Sequence, residues 1–382
     1  MSEARVNNLS NESNTGGPTI SGITTFSGTN FFVPPVGNTE QRPENPEKGS
    51  IRFNTDSKHL EYFKGDAIGG WVEVEASNDE LDGGNRGVAG GGWTPGVVAT
   101  IKYYTISTLG SEQSFGDLTR AGRNHGACAS RTRGVFGGTF PQAYQATIDY
   151  ITFSQPGNAI DFGDLTLGRT AAPGLSSSTR GCWAGGYSYS PGPSAMSNII
   201  DYIEIASTGN ALDFGDLLNV KEFNNNAGCS STTRGLWMAT ALDPSTTSGN
   251  TIEYITIATA GNAKDFGDIS NTGEIGSGGA CSNATRALYG GGHDGAVTNI
   301  ISYVTITTLG NSIDFGDLTA ARFHLGVFSS PTRGVWLGGR NPNLTNTMDY
   351  IEIATLGNAV DWGDMYDEIA LFGTTSNGHG GL

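Results

Sequence analysis

Residues 147–165 read TIDYITFSQPGNAIDFGDL, and the chain writes this phrase six times. Its relatives are IKYYTISTLGSEQSFGDL (101–118), IDYIEIASTGNALDFGDL (200–217), IEYITIATAGNAKDFGDI (252–269), ISYVTITTLGNSIDFGDL (301–318) and MDYIEIATLGNAVDWGDM (348–365). The tyrosines Tyr103, Tyr150, Tyr202, Tyr254, Tyr303 and Tyr350 stand 47, 52, 52, 49 and 47 residues apart. Self-similarity at about fifty residues is the mark of a repeat array such as a solenoid or propeller. Within each copy, the β-branched run after the tyrosine alternates as a half-buried strand does. Gly-Asn follows in five copies and suits a tight hairpin turn, because both residues tolerate positive φ. A further strand carries Phe115, Phe162, Phe214, Phe266, Phe315 or Trp362.

Upstream of each tyrosine comes an arginine phrase, clearest in RGVFGG (133–138) and RGVWLGG (333–339), with Arg86, Arg133, Arg180, Arg234, Arg286 and Arg333 in register. A small-residue strand such as GACAS (126–130) or GACSN (279–283) precedes the later arginines. Four short strands per copy is the content of one propeller blade. The order small-residue strand, Gly-Gly strand, Tyr strand, Phe/Trp strand resembles the kelch repeat over residues 86–382, with Phe where kelch commonly has Trp in five copies of six. The resemblance implies an all-β, six-bladed kelch-like propeller. The first copy lacks its small-residue strand, whereas Ile369–Ser376 is a spare one at the other end. The C-terminal strand is therefore expected to complete the first blade and close the ring, leaving few exposed edges.

Before the repeats, the chain divides into three stretches. Residues 1–48, rich in Asn, Ser, Thr, Gly and Pro, are expected to be an extended arm that cannot bury enough on its own to offset its ordering entropy. Residues 49–76 are expected to form a small three-stranded β module, too small to be stable without partners. Residues 77–85, SNDELDGGN, are the composition of a linker. The motif Arg42-Pro43, Gly49, Ile51-Arg52-Phe53-Asn54-Thr55, Leu60-Glu61-Tyr62 and Trp71-Val72 resembles a module of bacteriophage tail fibres and other virion appendages. The resemblance implies a virion structural protein that forms a homotrimer through residues 1–76 and joins other virion proteins.

The formal charge is −16, with −7 over residues 1–85 and −9 beyond, so no stretch is a basic island. Duplex nucleic acid and anionic membrane are thus poor partners. No apolar run approaches the length of a membrane span, and no leader pattern opens the chain. The expected setting is the virion, assembled in the host cytoplasm. Cys128, Cys229 and Cys281 occupy a position where other copies have Leu175 and Phe328; with Cys182 they are expected to be free core thiols rather than metal ligands or disulfides.

Three groups of side chains are candidate sites. The Asp pairs of the repeat, Asp161/Asp164 and their copies, supply only two oxygens each, fewer than a Ca²⁺ ion takes, and suit strand ends bonded to amides. The six repeat arginines either capture an anion or pair with those aspartates. The third group follows from length. Arginine to tyrosine takes 17 residues in four copies but 22 in the third and 20 in the fourth, and such insertions map to one, often binding, face. Phe140, Tyr144, Tyr187 and Tyr189 on two aromatic loops are the candidate ligand-binding residues, suited to stacking on sugar or packing on protein. His59, His125, His293, His324 and His379 fall in no catalytic or metal spacing, so neither catalysis, metal nor cofactor is expected. The functional expectation is an outward-facing, fibre-like appendage that contacts a host surface glycan or protein. Head or neck decoration and a polysaccharide-cleaving propeller enzyme are the rival readings.

Overall fold

A computed structural model describes residues 34–56, 59–65, 70–74, 84–108, 110, 112–141, 146–188, 195–221, 223, 226–238, 249–270, 276–294 and 296–382. The chain divides after Ser77 into two compact units.

In the first unit, strand Ile51–Asn54 pairs antiparallel with His59–Phe63, and that strand with Trp71–Val74. A fourth strand, Val36–Gly37, adds in parallel to Phe53–Asn54, so the sheet has four strands where three were expected. The motif residues explain the addition. The Glu61 carboxylate is fully buried and meets Arg42 Nη2 at 2.6 Å and Arg52 Nε at 3.3 Å, while Asn54 Nδ2 donates to it at 3.2 Å. Arg42 lies just beyond the short 3₁₀ turn Thr39–Gln41, so its ion pair draws that turn and the strand before it onto the sheet. The Arg42 guanidinium holds the Glu61 carboxyl below the usual carboxylate range.

Among the described residues the second unit has six sheets of one plan and a two-stranded ribbon, His293–Asp294 with Ala296–Val297. In the second sheet the strands run Gly126–Ala129, Arg133–Gly137, Thr147–Thr152 and Ile160–Asp164, each antiparallel to the next. Sheets three to six repeat it from Gly174–Ser176, Gly228–Ser230, Gly279–Ser282 and Gly326–Ser329. The first sheet takes its innermost strand from the other end of the chain: Gly373–Ser376 pairs with Arg86–Gly90, as the spare C-terminal strand predicts.

Small residues on the innermost strands let neighbouring backbones approach closely. A Cβ on Gly174 would stand 2.4 Å from Ala127 O, and one on Gly228 would stand 2.3 Å from Gly174 O. The alternate positions point between sheets, where Cys128, Cys229 and Cys281 are buried and free; Cys182, on the second strand of the third sheet, is buried and free as well. Cys128 Sγ fills the space a side chain at Gly181 would need, and Cys281 Sγ does the same at Gly334. Burial pushes all four thiols up, away from thiolate chemistry.

The Gly-Asn pairs are not hairpin turns. Thr152 and Ile160 are joined by the seven-residue loop Phe153–Ala159, whose Gly157-Asn158 packs on the outer strand of the preceding sheet. Asn158 Oδ1 accepts from Asp117 N; Asn210, Asn262, Asn311 and Asn358 accept likewise from Asp164, Asp216, Asp268 and Asp317. A Cβ on Gly163, at φ +148°, would meet Gly209 O at 2.4 Å, so two glycines are needed where the chains cross. Docking against a neighbour and closing a hairpin favour the same dipeptide, which is why the local reading misled. The first copy has no Asn here, and the sixth has the only Trp among the repeat aromatics. Trp362 Nε1 donates to Thr108 O at 2.8 Å, a side-chain bond of opposite direction across the junction that lacks the Asn.

The repeat arginines do not pair with the aspartates of the Asp-Phe-Gly-Asp phrase. Each guanidinium lies over the tyrosine of its own sheet, 4.5–5.0 Å from the ring centre. Its Nη1 donates to a backbone carbonyl of the following sheet: Arg133 to Ile205, Arg180 to Ile257, Arg234 to Ile306 and Arg286 to Ile353. Arg86 bonds Phe153 O in the same way, and Arg333 in the sixth sheet returns to Ile106 O in the first.

Buried acids join the sheets at a further level. Asp201 meets Arg169 at 3.0 Å, Asp349 meets Arg322 at 2.5 Å and Glu253 meets Lys221 at 2.5 Å, all nearly inaccessible. The cation lies four residues after Leu165, Leu318 or Leu217 in each case. Asp149 has Gly122 at the matching place; it accepts from the amide and hydroxyl of Thr119, as Asp201 does from Thr166 and Asp349 from Thr319. Burial raises the carboxyls of Asp149 and Asp201.

Two outcomes follow from these contacts. Replacing Trp362 by Phe should lower stability by about 1–2 kcal/mol, one lost buried hydrogen bond, read as an earlier urea midpoint at unchanged slope; an unmoved midpoint would count against the seam bond. Glu61→Ala leaves Arg52 buried and unpaired and should cost the first unit about 3 kcal/mol or more, read as lost amide protection at Phe53 and Tyr62. The depressed Glu61 carboxyl gives the wild type a contribution present above the unfolded carboxylate pKa and lost as pH falls through the folded one, a loss the variant should not show.

Candidate functional site

In the first, third, fifth and sixth sheets two glycines of positive φ follow the second strand, as Gly185 (+64°) and Gly186 (+93°) do, and in the second sheet Gly138 (+67°) stands before Thr139. The residue that follows is thereby turned back toward the start of an innermost strand. Trp93 bridges to Ala370, Phe140 to Arg123, Tyr187 to Thr170, His293 to Gly276 and Arg340 to Phe323. The next residue along, Asn124, Ala171, Ser277, His324 or Leu371, has φ between +55° and +67°. Backbone bonds join this collar from sheet to sheet: Leu371 N to His324 O, Asn124 N to Leu371 O, Ala171 N to Asn124 O and His324 N to Ser277 O.

Two of the four predicted site residues fall on this face. Phe140 is half-buried with Arg123 stacked 4.8 Å from its ring centre. Tyr187, also half-buried, pairs with Met196 in a short extension of the third sheet. Tyr144 and Tyr189 lie outside the described residues. The sequence reading missed Trp93, His293 and Arg340 at the same place in other sheets, together with Arg123 and Phe323 opposite them. Their signal was position rather than type: each stands directly after a Gly-Gly, or at its bridge partner.

Two arginines and two histidines gather at this face. Arg340 stacks on Phe323 at 4.7 Å, and the His293 and His324 rings lie 5.4 and 4.7 Å from the same phenyl. Burial, then Arg340, Arg123 and His293, lower His324 to about 3, and burial alone lowers His125 to about 4.

The opposite ends of the innermost strands are closed by hydroxyls and by the chain's own tail. Ser376 Oγ donates to Ser329 O, Ser329 to Ser282, Ser282 to Ser230, Ser230 to Ser176 and Ser176 to Ala129. Ala129 has no hydroxyl, and there His379 Nε2 lies 3.2 Å from both Ala129 O and Ser176 Oγ. Gly381 N donates to His379 Nδ1 at 3.1 Å, which fixes the neutral ring with its proton on Nε2. A side chain on Gly380 or Gly381 would strike Asn283 O or Ser176 O at 2.2 and 1.9 Å. Further in, Asn226 Nδ2 donates to Leu325 O and Phe372 O across the sheets, and its Oδ1 accepts from Thr374 N. The cavity along these strands has a volume of about 40 Å³, far below the few hundred an organic ligand needs. The aromatic and basic face, not the interior, is the candidate site.

The Asp pairs are exposed or half-exposed, and among the described residues no three His, Cys, Asp or Glu side chains converge as a metal site requires. No helix of the described residues is long and apolar enough to cross a membrane. Compared with known proteins, the chain matches no family model, and no curated protein matches it.

Three histidines make stability pH-dependent. His125 and His379 are lowered to about 4 and His324 to about 3. The unfolded chain therefore binds more protons below the ordinary histidine pKa of 6.5, and stability falls as pH drops from there toward 4. Each contributes about 1.4 kcal/mol per pH unit across that window. The urea midpoint should decline between pH 7 and 5 and be flat from 7 to 8. His379→Gln, which keeps a donor toward Ala129 O, should reduce the slope by one proton; an unchanged slope would contradict the assignment.

Proposed function

We propose that the six sheets are the blades of a kelch-like β-propeller spanning residues 86–382 and closed by the C-terminal strand, and that the protein is a bacteriophage virion component. It is a fibre-like appendage, with the propeller outward and its aromatic, basic face contacting a glycan or protein of the host surface. Residues 1–76 hold the protein in the particle, as a homotrimer and against other virion proteins. Several weak propeller contacts then act together through avidity.

The observation that carries the host-contact reading is the inequality of the two ends. Where loop lengths vary between copies, the face presents Trp93, Phe140, Tyr187, His293 and Arg340, none fully buried. The other end is occupied by residues 377–381 of the chain itself. The tail-fibre-like motif supports the virion setting, because its polar residues, Arg42, Arg52, Asn54 and Glu61, form one buried network rather than a chance string. One observation favours the rival reading of head or neck decoration: the phenyl of Phe140 is half-buried under a guanidinium, as surface cover would be.

Antibody raised against residues 86–382 separates the two on intact particles. Label at the tail tip or fibres is the expected result, and purified protein should then bind host cells, with Phe140→Ala and Tyr187→Ala weakening it several-fold. Label confined to the head or neck would replace this reading with decoration.

A further inference from the structure

Most cations of the second unit that the structure describes have an evident partner. Arg169, Lys221 and Arg322 meet buried acids, Arg180 and Arg333 meet Glu204 and Glu352, and Lys102 meets Glu112. Arg123 and Arg340 differ. Among the described residues neither forms an ion pair, and the Nε of each is buried with no hydrogen-bond partner. Each instead lies over a phenyl ring, Phe140 or Phe323. His324, 9% exposed, also keeps its Nδ1 buried and unpartnered. Asn124 Oδ1 is unpartnered too, and turning that amide over would make it a donor.

These groups are neighbours through the collar. Leu371 N bonds His324 O, and Asn124 N bonds Leu371 O, so the Phe323–His324 and Arg123–Asn124 pairs flank Ala370–Leu371 of the first sheet. Trp93, bridged to Ala370, stands between them and is half-exposed. The two guanidiniums repel one another here, in a chain of net charge −16, and the guanidinium and imidazole nitrogens leave buried polar atoms unsatisfied. An anion removes both penalties. Burial and the neighbouring cations hold the imidazole at about 3, so it is neutral before an anion arrives and offers one N–H.

We propose that Arg123, Arg340 and His324 bind the oxyanion of an acidic surface sugar, a carboxylate or a phosphate, with Trp93, Phe140 and Phe323 lying against the sugar ring. Guanidinium forks match either oxyanion in a planar, two-pronged fashion, and their stacking on the phenyls orients them before the ligand arrives. This inference rests on the host-contact reading and names its ligand class.

The test is calorimetry on the full-length protein with sodium glucuronate, inorganic phosphate and glucose. One or both anions should bind while glucose does not, the two arms deciding between carboxylate and phosphate. Arg123→Gln with Arg340→Gln should weaken the bound anion at least tenfold, and Arg→Lys at both sites, should the Gln pair fail to fold, should weaken it to a smaller degree. No heat from either anion, or equal binding by folded variants, would overturn the inference. A parallel assay of host-cell binding separates it from the reading beneath: wild-type adhesion undiminished by either arginine variant sinks the anion site and leaves host contact standing. Variant-sensitive anion binding by a protein that adheres to no host cell keeps the site and sinks host contact.

Discussion

Everything in the second unit depends on how one sheet grips the next, and the repeat arginine is the most regular grip. Its guanidinium is held flat by the tyrosine of its own sheet, a contact of the cation–π kind, and from there reaches a backbone carbonyl one sheet further on. The acceptor is a backbone carbonyl, while the side chain of the same residue, Ile in five sheets and Phe in one, is buried in the core. The tyrosine is fixed in turn by the repeat phenylalanine, which meets it edge-on at 5.8–6.1 Å in five sheets. Arginine, tyrosine and phenylalanine thus recur together because each positions the next.

Two other constraints follow from the same sheet-to-sheet contact. The innermost strands lie so close that only small residues fit on the side facing their neighbours, and the serines among them turn crowding into hydrogen bonds. At the outer strands, a glycine in each sheet receives a glycine of the next. Where one copy departs from the pattern another residue bonds at the same place: Trp362 donates across the junction that lacks an asparagine, and His379 lies against Ala129, which lacks a hydroxyl.

The repeat made the strands, the small-residue positions, the buried thiols and the pairing of the two chain ends legible in advance. Each depends on side chains whose type is dictated by their surroundings. What stayed hidden depends on backbone. The arginine's acceptor is a backbone carbonyl of a residue whose apolar side chain gives no hint of it, so an aspartate that recurs in step with the arginine was the natural but mistaken partner. The acids at Asp201, Glu253 and Asp349 were visible as an interruption of an apolar strand, yet their cations lie in loops whose spacing from Leu165, Leu217 and Leu318 becomes meaningful only once the sheets are stacked. In the first unit the fourth strand escaped because two residues are too few to show alternation. At the candidate face, Phe140 and Tyr187 stood out as aromatic loop residues, but Trp93, His293 and Arg340 share only a place after Gly-Gly.

The central claim is that the six sheets, tied in succession and from last to first, form one cooperative body. The buried indoles allow a direct measurement: Trp183 in the third sheet, Trp237 in the fourth and Trp336 in the sixth. Full-length variants with Phe at all other tryptophans, each keeping one of these three, would be unfolded in urea and followed by fluorescence. The account predicts that each reporter's curve coincides with that variant's own far-ultraviolet dichroism curve, as an all-or-none transition requires. Fluorescence curves displaced from the dichroism, with the sixth sheet melting before the fourth, would mean that the ends are not joined and the sheets unfold as a row.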